Sequence, residues 1–206
     1  MIPRTRGMRP DLAAIASLIA PGARVLDVGC GEGDLLEHLV IEKQVDGRGI
    51  ELSQQNVNAC VGRGLSVVQG DADTDLADYP SSVFDVVILS QTIQATRSPR
   101  SVLQHLLRIG GKTIVSFPNF GHWRIRFALL LEGRMPRTAA LGYHWYETPN
   151  IHLCTITDFA QLVHENGARI ESAFALSQKG RTRRMATDAW GPNLFAQGAI
   201  FVLTKS

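Results

Sequence analysis

A glycine-rich turn flanked by acidic residues stands near the N-terminus, within the sequence VLDVGCGEGDLL at residues 25–36. Gly29, Gly31 and Gly33 are two residues apart, so the backbone here can turn sharply and lie directly against a ligand. An apolar run precedes the turn, and a helical pattern follows it. A strand that passes through such a turn into a helix is the local structure with which α/β proteins bind nucleotide-like ligands.

The acids around this turn indicate which ligand it suits. The spacing departs from the dinucleotide fingerprint G-x-G-x-x-G, because the third glycine comes one residue early and Asp34 takes its place. Asp34, Asp27 and Glu32 would repel a pyrophosphate at this helix N-terminus. S-adenosylmethionine (SAM) suits the acids better, since it has a sulfonium and an ammonium group and no phosphate. The alternative is a plain strand–turn–helix with solvated acids.

A second acid supports the choice of ligand. Glu51 closes the next predicted strand and lies 24 residues after Asp27. That separation is close to the offset of about 20 residues at which an acidic side chain meets ribose hydroxyls in nucleotide-binding βαβ units. We therefore expect SAM or its demethylated product, S-adenosylhomocysteine, to bind here.

Composition excludes several classes of function. A chain of 206 residues can bury one sizeable core, so we expect a single domain over residues 1–206. The net charge of +2 is too small to indicate a nucleic-acid partner. No apolar stretch is long enough to span a bilayer, and the N-terminus does not resemble a signal peptide. Three cysteines give no disulfide framework, so we expect a cytoplasmic protein.

Strand and helix patterns alternate through the first half of the chain, which predicts parallel strands joined by right-handed crossovers in a doubly wound α/β sheet. The second half ends in two further strands joined by a loop, for which an antiparallel pair is the simplest arrangement. We expect a solvated loop for the basic run KGRTRR within that connection, and an anion or partner site is the alternative. Helices are predicted over residues 120–131, after Ser53 and after Thr157. The predicted strands are 24–28, 47–51, 65–69, 84–90, 112–117, 169–176 and 197–203.

Four polar residues follow four different predicted strands. Asp27, Glu51, Asp71 and Ser90 each stand at the carboxyl end of a strand. Ligands of parallel α/β sheets bind at that edge, where the strand order reverses. The sequence therefore places these residues on one rim of the sheet.

These motifs resemble class I SAM-dependent methyltransferases. The resemblance implies a Rossmann-like, mostly parallel seven-stranded sheet in the order 3-2-1-4-5-7-6, with an antiparallel last strand. It also implies that the glycine turn approaches the methionine end of the ligand, that Glu51 takes the ribose hydroxyls, that Asp71 and Ala72 flank the adenine, and that the carbonyl of Ser90 meets the ammonium group. The implied cofactor-binding set is Asp27, Gly29, Cys30, Gly31, Glu51, Leu52, Asp71, Ala72 and Ser90.

The second half narrows the resemblance. The stretches IVSFPNFGHWRIRFALLLEGRMP, LGYHWYETPNIHLCTITDF and LSQTIQA are similar to the MetW family of bacterial methionine-biosynthesis proteins. The resemblance implies an accessory protein that pairs with homoserine O-acyltransferase (MetX) in acyl-homoserine synthesis. A freestanding SAM-dependent methyltransferase acting on a small molecule is the alternative. The stretch after the fourth strand lacks the Asn/Asp-Pro-Pro-aromatic signature of enzymes that methylate amino groups.

Aromatic residues concentrate between residues 120 and 152, which we call the aromatic segment. It holds six of the fourteen aromatic residues of the chain (8 Phe, 3 Trp and 3 Tyr). Such a segment can pack on the core as a lid, dock on a partner or line a substrate pocket. No metal site is indicated, and no catalytic residue stands out. The candidate partner or substrate residues are Asn119, His122, Trp123, Tyr143, Trp145 and Tyr146.

Overall fold

The computed structural model describes residues 8–137, 142–177, 180–187 and 190–205. Its centre is an eight-stranded sheet in the order β3-β2-β1-β4-β5-β8-β6-β7. The strands are β1 (Arg24–Val28), β2 (Asp46–Glu51), β3 (Val67–Gln69), β4 (Phe84–Ser90), β5 (Gly110–Pro118), β6 (Ala168–Leu176), β7 (Thr182–Arg184) and β8 (Gly198–Lys205). The helices are α1 (Pro10–Ser17), α2 (Asp34–Lys43), α3 (Gln54–Gly62), α4 (Pro99–Ile109), α5 (Trp123–Glu132), α6 (Ile156–Glu165) and α7 (Trp190–Phe195), and short 3₁₀ turns cover Asp75–Asp78 and Ile93–Ala95.

The pairing confirms the predicted α/β class. Strands β3, β2, β1, β4 and β5 run parallel, and β8 lies antiparallel between β5 and β6. Without β7, this is the order that the methyltransferase resemblance implies. The reversal of strand order between β1 and β4 creates the crevice in which such sheets bind ligands.

The predicted count of seven strands is wrong by one. Thr182–Arg184, expected within a solvated loop, forms the eighth strand and pairs antiparallel with Phe174–Leu176 at the edge of the sheet. All three β7 residues are exposed. Basic side chains on an exposed edge strand discourage pairing with another chain, and this accounts for a strand whose composition reads as a loop.

Helices cover both faces of the sheet because its central strands are apolar on both sides. The last residues of β1 and the middle of β4 are buried, and the largest apolar cluster packs α4 and α6 against one face of β4, β5 and β8. A second cluster packs α1 and α2 against the other face. Continuous apolar strands are typical of parallel sheets covered on both sides.

The helix starts follow local capping chemistry. Ser53 caps α3, as predicted, by accepting from the Asn56 amide at 3.5 Å. The predicted cap Thr157 is wrong, because Thr155 begins α6 in a capping box with Asp158, the acid three positions later. Helix α5 begins three residues after its predicted start, since the turn after Pro118 uses those residues.

Candidate functional site

The carboxyl ends of β1 to β4 form one edge of the sheet. In register, Asp27 lies between Gly49 of β2 and Ile88 of β4. Glu51 is the last residue of β2, and Ser90 is the last of β4. Asp71 follows β3 after one residue. Parallel pairing therefore brings the four predicted strand-end residues to the same edge, which we call the rim.

The glycine turn leaves few free amides for an anion. The amides of Gly29 and Cys30 both donate to the carbonyl of Ile50, at 2.8 and 3.2 Å. The amide of Gly31 donates to Oε2 of Glu51 at 2.8 Å. A phosphate-binding turn needs such groups free to point at the ligand. The hydrogen bonding therefore disfavours a pyrophosphate, for a reason independent of the acidic residues.

Gly29 and Gly31 are required for different reasons, although both adopt a positive φ. A Cβ added at Gly29 would lie 2.7 Å from Oγ1 of Thr92, so a neighbouring loop excludes any side chain there. A Cβ added at Gly31, where φ is +58°, would meet no protein atom within 4 Å. The space beside Gly31 is open, which is what close approach of a ligand to the backbone requires.

Asp27 supplies an unsatisfied acceptor at the rim. It is only 2 % exposed, and its Oδ1 is buried with no hydrogen-bond partner among the described residues. Burial, reinforced by the charge of Glu51, raises its pKa to about 7. A buried acceptor without a partner is costly. A cationic donor beside Asp27 would satisfy it and favour its ionised form.

Glu51 is held in place by its own neighbourhood. Besides the Gly31 amide, its carboxylate accepts from the amide of Ser53 at 2.9 Å and from Nδ2 of Asn56 at 3.4 Å. These bonds fix the side chain between the glycine turn and the start of α3. Leu52, which follows it, is 65 % exposed and offers an apolar surface on the same edge.

Fewer acidic side chains are free at the glycine turn than the sequence indicates. Arg63, at the end of α3, pairs with Asp34 at 2.9 Å and also with Glu37 of α2, and it donates to the carbonyl of Glu32 at 2.5 Å. Asp34 is thus neutralised by a partner 29 residues away. Of the acids invoked against a pyrophosphate, Asp34 is therefore the one that the structure discounts.

Asp71 has a partner that the sequence did not reveal. Its Oδ2 pairs with the guanidinium of Arg97, and its Oδ1 accepts from the amide of Asp73 at 2.9 Å. Asp73 in turn accepts from the amides of Arg97 and Ser98, both at 2.8 Å. Ala72, between the two acids, packs against the core. This corner of the rim is therefore fixed to the start of α4.

The loop after β4 joins the rim to the aromatic segment. Oγ1 of Thr92 donates to the carbonyl of Ser90 at 2.9 Å, directly beside Gly29. The carbonyl of Gln94 accepts from the amides of Ile151 and His152, at 3.0 and 2.9 Å. Thr92 and Gln94 were not predicted from the sequence, although the rule that strand ends carry ligand sites extends to the loops that follow them.

Cys30 has no reactive thiolate. Burial raises its pKa far above the ordinary value, with further contributions from Asp27 and Cys60. Its side chain packs against the apolar cluster that includes Leu36 and Val67. The thiol of Cys60 donates to the carbonyl of Gly31 at 3.3 Å, which supports the turn from below. Both cysteines therefore act as small packing residues here.

The candidate residues of the aromatic segment separate by exposure. Tyr143, Trp145 and Tyr146 are exposed, with Trp145 at 74 %, and Trp123 is partly exposed. Among them, Trp145 meets Tyr146 edge-on, with ring centroids 5.5 Å apart. Exposure of this extent does not fit a lid packed on the core.

Asn119 and His122, by contrast, are buried. Asn119 is 1 % exposed, and its Nδ2 donates to the carbonyls of Asn193 and Ala196 at 2.9 and 2.8 Å. Nδ1 of His122 accepts from the amide of Arg124 at 3.2 Å, and burial lowers its pKa. These contacts join the exit of β5 to α7 and begin α5. Neither side chain can touch a partner directly without rearrangement.

A small apolar cavity lies beside the exposed Tyr143 and Trp145. Its volume is about 40 Å³, and its lining residues are Phe120, Met135, Pro136, Tyr143, Trp145, Thr148 and Leu153. That is space for about three waters. The cavity is far smaller than ordinary small-molecule pockets of about 300–1,000 Å³.

The described residues form neither a metal-ion cluster nor a membrane-spanning helix. Over 8–137, 142–177, 180–187 and 190–205, no three His, Cys, Asp or Glu side chains gather in a way that could hold a metal ion. Within those same ranges, the helices are too short or too polar for any of them to cross a membrane.

Comparison with known proteins identifies relatives over nearly the whole chain. The family model described as methionine biosynthesis protein MetW matches residues 9–203. The bifunctional methionine biosynthesis protein MetXA/MetW of Rhodopirellula baltica is 31 % identical over 214 residues, which cover 99 % of this chain and 34 % of the relative. The chain thus spans about a third of that relative's length.

Methyltransferases are more distant relatives. The ubiquinone biosynthesis O-methyltransferase of Xanthomonas oryzae is 34 % identical over 143 residues, covering 64 % of this chain and 58 % of the relative. The structure of a SAM-dependent methyltransferase from Thermotoga maritima, described as a possible histamine N-methyltransferase, superposes on this chain with a TM-score of 0.69 at 17 % identity. The superposition covers 96 % of this chain and 88 % of the other. One from Archaeoglobus fulgidus gives 0.67 at 16 % identity, over 96 % and 92 %. At these identities the structural likeness concerns the fold.

Proposed function

The chain belongs to the MetW family of methionine biosynthesis proteins, and from that membership we propose that it is an accessory protein of homoserine O-acyltransferase (MetX). In this role it binds SAM or S-adenosylhomocysteine at the rim and pairs with the acyltransferase to support acyl-homoserine synthesis. It works as one domain over residues 1–206, in the cytoplasm, where its free Cys30, Cys60 and Cys154 suit a reducing environment.

The fused relative is the observation that supports pairing of this chain with the acyltransferase. In Rhodopirellula baltica one chain is described as both MetXA and MetW, and its similarity to this protein covers 99 % of this chain. Fusion holds two units at a high effective concentration, which is useful when the two must meet. Two separate chains of the same kinds would need a docking surface instead.

The residues of the rim suit the proposed ligand. Asp27 offers an unsatisfied buried acceptor and the charge that a cationic group needs, and Gly31 leaves its backbone open. Glu51 is oriented by three donors and retains lone pairs for ribose hydroxyls. Leu52 supplies an apolar neighbour for the adenine, between Glu51 and the Asp71–Ala72 corner. The residues present therefore suit an adenosyl ligand with a positive charge.

One experiment tests the pairing and the accessory role together. The chain and the acyltransferase of the same organism are purified separately, and acyl transfer to homoserine is measured for each and for the mixture. We expect a stable complex and higher acyl transfer in the mixture, with no methyl transfer by either. Equal acyl transfer with and without this chain, together with separate elution on a sizing column, would contradict the proposal.

A freestanding methyltransferase is the second candidate function. It is favoured by the similarity to the ubiquinone biosynthesis O-methyltransferase, which extends over 64 % of this chain. The sulfonium of SAM makes its methyl group electrophilic, so the protein needs mainly to position an acceptor. Turnover of SAM by the chain alone, with an added small-molecule acceptor, would favour this function.

A further inference from the structure

Helix α5 is apolar but almost wholly unpacked. Its sequence is WRIRFALLLE, and Ile125 is its one buried residue. Leu130 and Leu131 are 79 % and 74 % exposed, and Phe127 is also exposed. A helix this rich in large apolar residues is ordinarily buried. Its exposure indicates a surface that something else covers.

Four of the exposed apolar residues form one stripe. Trp123, Phe127, Leu130 and Leu131 occupy positions i, i+4, i+7 and i+8, so they share one side of the helix. Trp123 and Phe127 already meet edge-on, with ring centroids 6.0 Å apart. This spacing is that of helices which lay an apolar face into a groove of a partner. We call these four residues the α5 stripe.

The surroundings of the stripe are basic. Residues 123–137 contain four arginines and one acid, Glu132. The guanidinium of Arg124 lies over the Trp123 ring, 5.3 Å from its centroid. Two copies of this surface placed face to face would bring like charges together, which disfavours a second copy of the chain as occupant. A groove with an apolar floor and an acidic border is the complementary surface.

From these features we infer that the α5 stripe is the surface that docks into an apolar, acid-bordered groove on homoserine O-acyltransferase. The inference rests on the proposed function for the identity of the partner. The fused MetXA/MetW relative supplies that partner, because one chain of that organism is described as carrying both units. Tyr143 and Trp145, which line a small cavity with Met135 just beyond the end of α5, are exposed as well.

The test compares two substitutions of the same kind. Leu130→Glu places a charge on the stripe, whereas Ile41→Glu places one at a similarly exposed apolar residue of α2, 64 % exposed, on a different helix. Both side chains lie in solvent, so both variants should melt near the wild type. Binding to the purified acyltransferase of the same organism is measured by calorimetry at low and at physiological salt.

We expect Leu130→Glu to weaken the complex by at least about 30-fold, the change typical of a central anchor residue. Ile41→Glu should leave the affinity unchanged, and rising salt should weaken the wild-type complex, since the border of the groove is charged. A wild-type complex that survives Leu130→Glu intact would overturn the assignment of this surface and leave the proposed function standing. Absence of any wild-type complex would overturn both.

Two other occupants give distinct results. If the isolated chain dimerises in the ultracentrifuge and Leu130→Glu makes it monomeric, the stripe serves self-association and the inference fails. If the chain sediments with vesicles of anionic phospholipid and Leu130→Glu abolishes this, the stripe is a membrane-surface helix and the inference also fails. The expected outcome is a monomeric chain that does not sediment with such vesicles.

Discussion

At the scale of single residues, the rim combines one residue that awaits a partner with several that are already engaged. Asp27 has a buried oxygen without a hydrogen-bond partner in the described part of the chain, whereas Glu51 and Asp71 each accept several bonds from the protein. The engaged residues hold the shape of the rim. Asp27 and the open side of Gly31 supply what a ligand would contact.

Gly31 can be tested against a matched glycine. Gly31→Ala and Gly64→Ala both place a methyl group at a positive φ with no protein atom within 4 Å. Each should cost about 1–2 kcal/mol of stability from the left-handed backbone. We expect Gly31→Ala alone to abolish binding of S-adenosylhomocysteine in calorimetry, because its methyl group takes the ligand's place. Normal binding by Gly31→Ala would move the ligand away from this turn.

The ionisation of Asp27 makes binding depend on pH. Its folded pKa of about 7 lies above the ordinary 3.8, so the folded protein holds the extra proton between these values. The contribution of Asp27 to the free energy of unfolding therefore falls as pH rises from about 4 through about 7. A cationic ligand favours the ionised form, so its binding releases this proton below about pH 7.

We accordingly expect the affinity for SAM to rise from about pH 5.5 to about pH 7. Calorimetry in two buffers of different ionisation enthalpy should show proton release in the wild type. Asp27→Asn has no charge to gain, so its weaker binding should lose this pH dependence. A wild-type affinity that does not change over this range would show that no cationic group of the ligand lies at Asp27.

At the scale of elements, the aromatic segment and α5 together present the apolar surface of the second half. The bonds from Ile151 and His152 to Gln94 anchor one end of the segment, and the buried Asn119 and His122 anchor the other. Between these anchors the aromatic rings face outward. The anchors are thus structural, and the exposed rings are the part of the segment that another molecule could contact.

Trp145 distinguishes a lid from a docking surface. Because its side chain is 74 % exposed, Trp145→Ala should leave the melting temperature of the isolated chain almost unchanged. In complex with the acyltransferase, the same variant should lose about 2 kcal/mol or more of binding free energy. Loss of about 3–5 kcal/mol of stability in the isolated chain, as for a core aromatic, would restore the interpretation of the segment as a lid.

At the scale of the whole molecule, the rim and the aromatic segment are connected through one loop. The loop after β4 touches Gly29 through Thr92 and holds Ile151 and His152 through the carbonyl of Gln94. If a ligand shifts this loop, it also shifts the end of the aromatic segment. Linkage requires that the partner then alters the ligand's affinity by the same factor.

We expect the acyltransferase to change the affinity for SAM by about 5–150-fold, and SAM to change the affinity for the acyltransferase equally. Gln94→Met removes the bond from its Nε2 to the carbonyl of Gln91 and should reduce this factor. Thr96→Val removes another buried side-chain bond of the same loop and serves as control. Titrations that give a factor of one in the wild type would show that the two sites are independent.

The sequence by itself determined the fold class and the rim, and its resemblance to known families implied the order of the strands and the family. The fold class and the rim follow from short-range patterns: apolar periodicity defines the elements, a glycine turn marks the ligand edge, and parallel pairing brings strand ends together whatever their side chains do. The motifs of the second half were equally informative, because they are contiguous in the chain.

Only the tertiary structure decided which charges at the rim are free and which surfaces are covered. Arg63 pairs with Asp34, 29 residues away, and Arg97 pairs with Asp71, 26 residues away. No local sequence pattern predicts such pairs. The apolar sequence of α5 predicts burial, yet one residue of it is buried. Long-range pairing and exposure depend on where loops and helices lie in three dimensions. Periodicity along the chain cannot report this, because it identifies an apolar face without identifying what covers it.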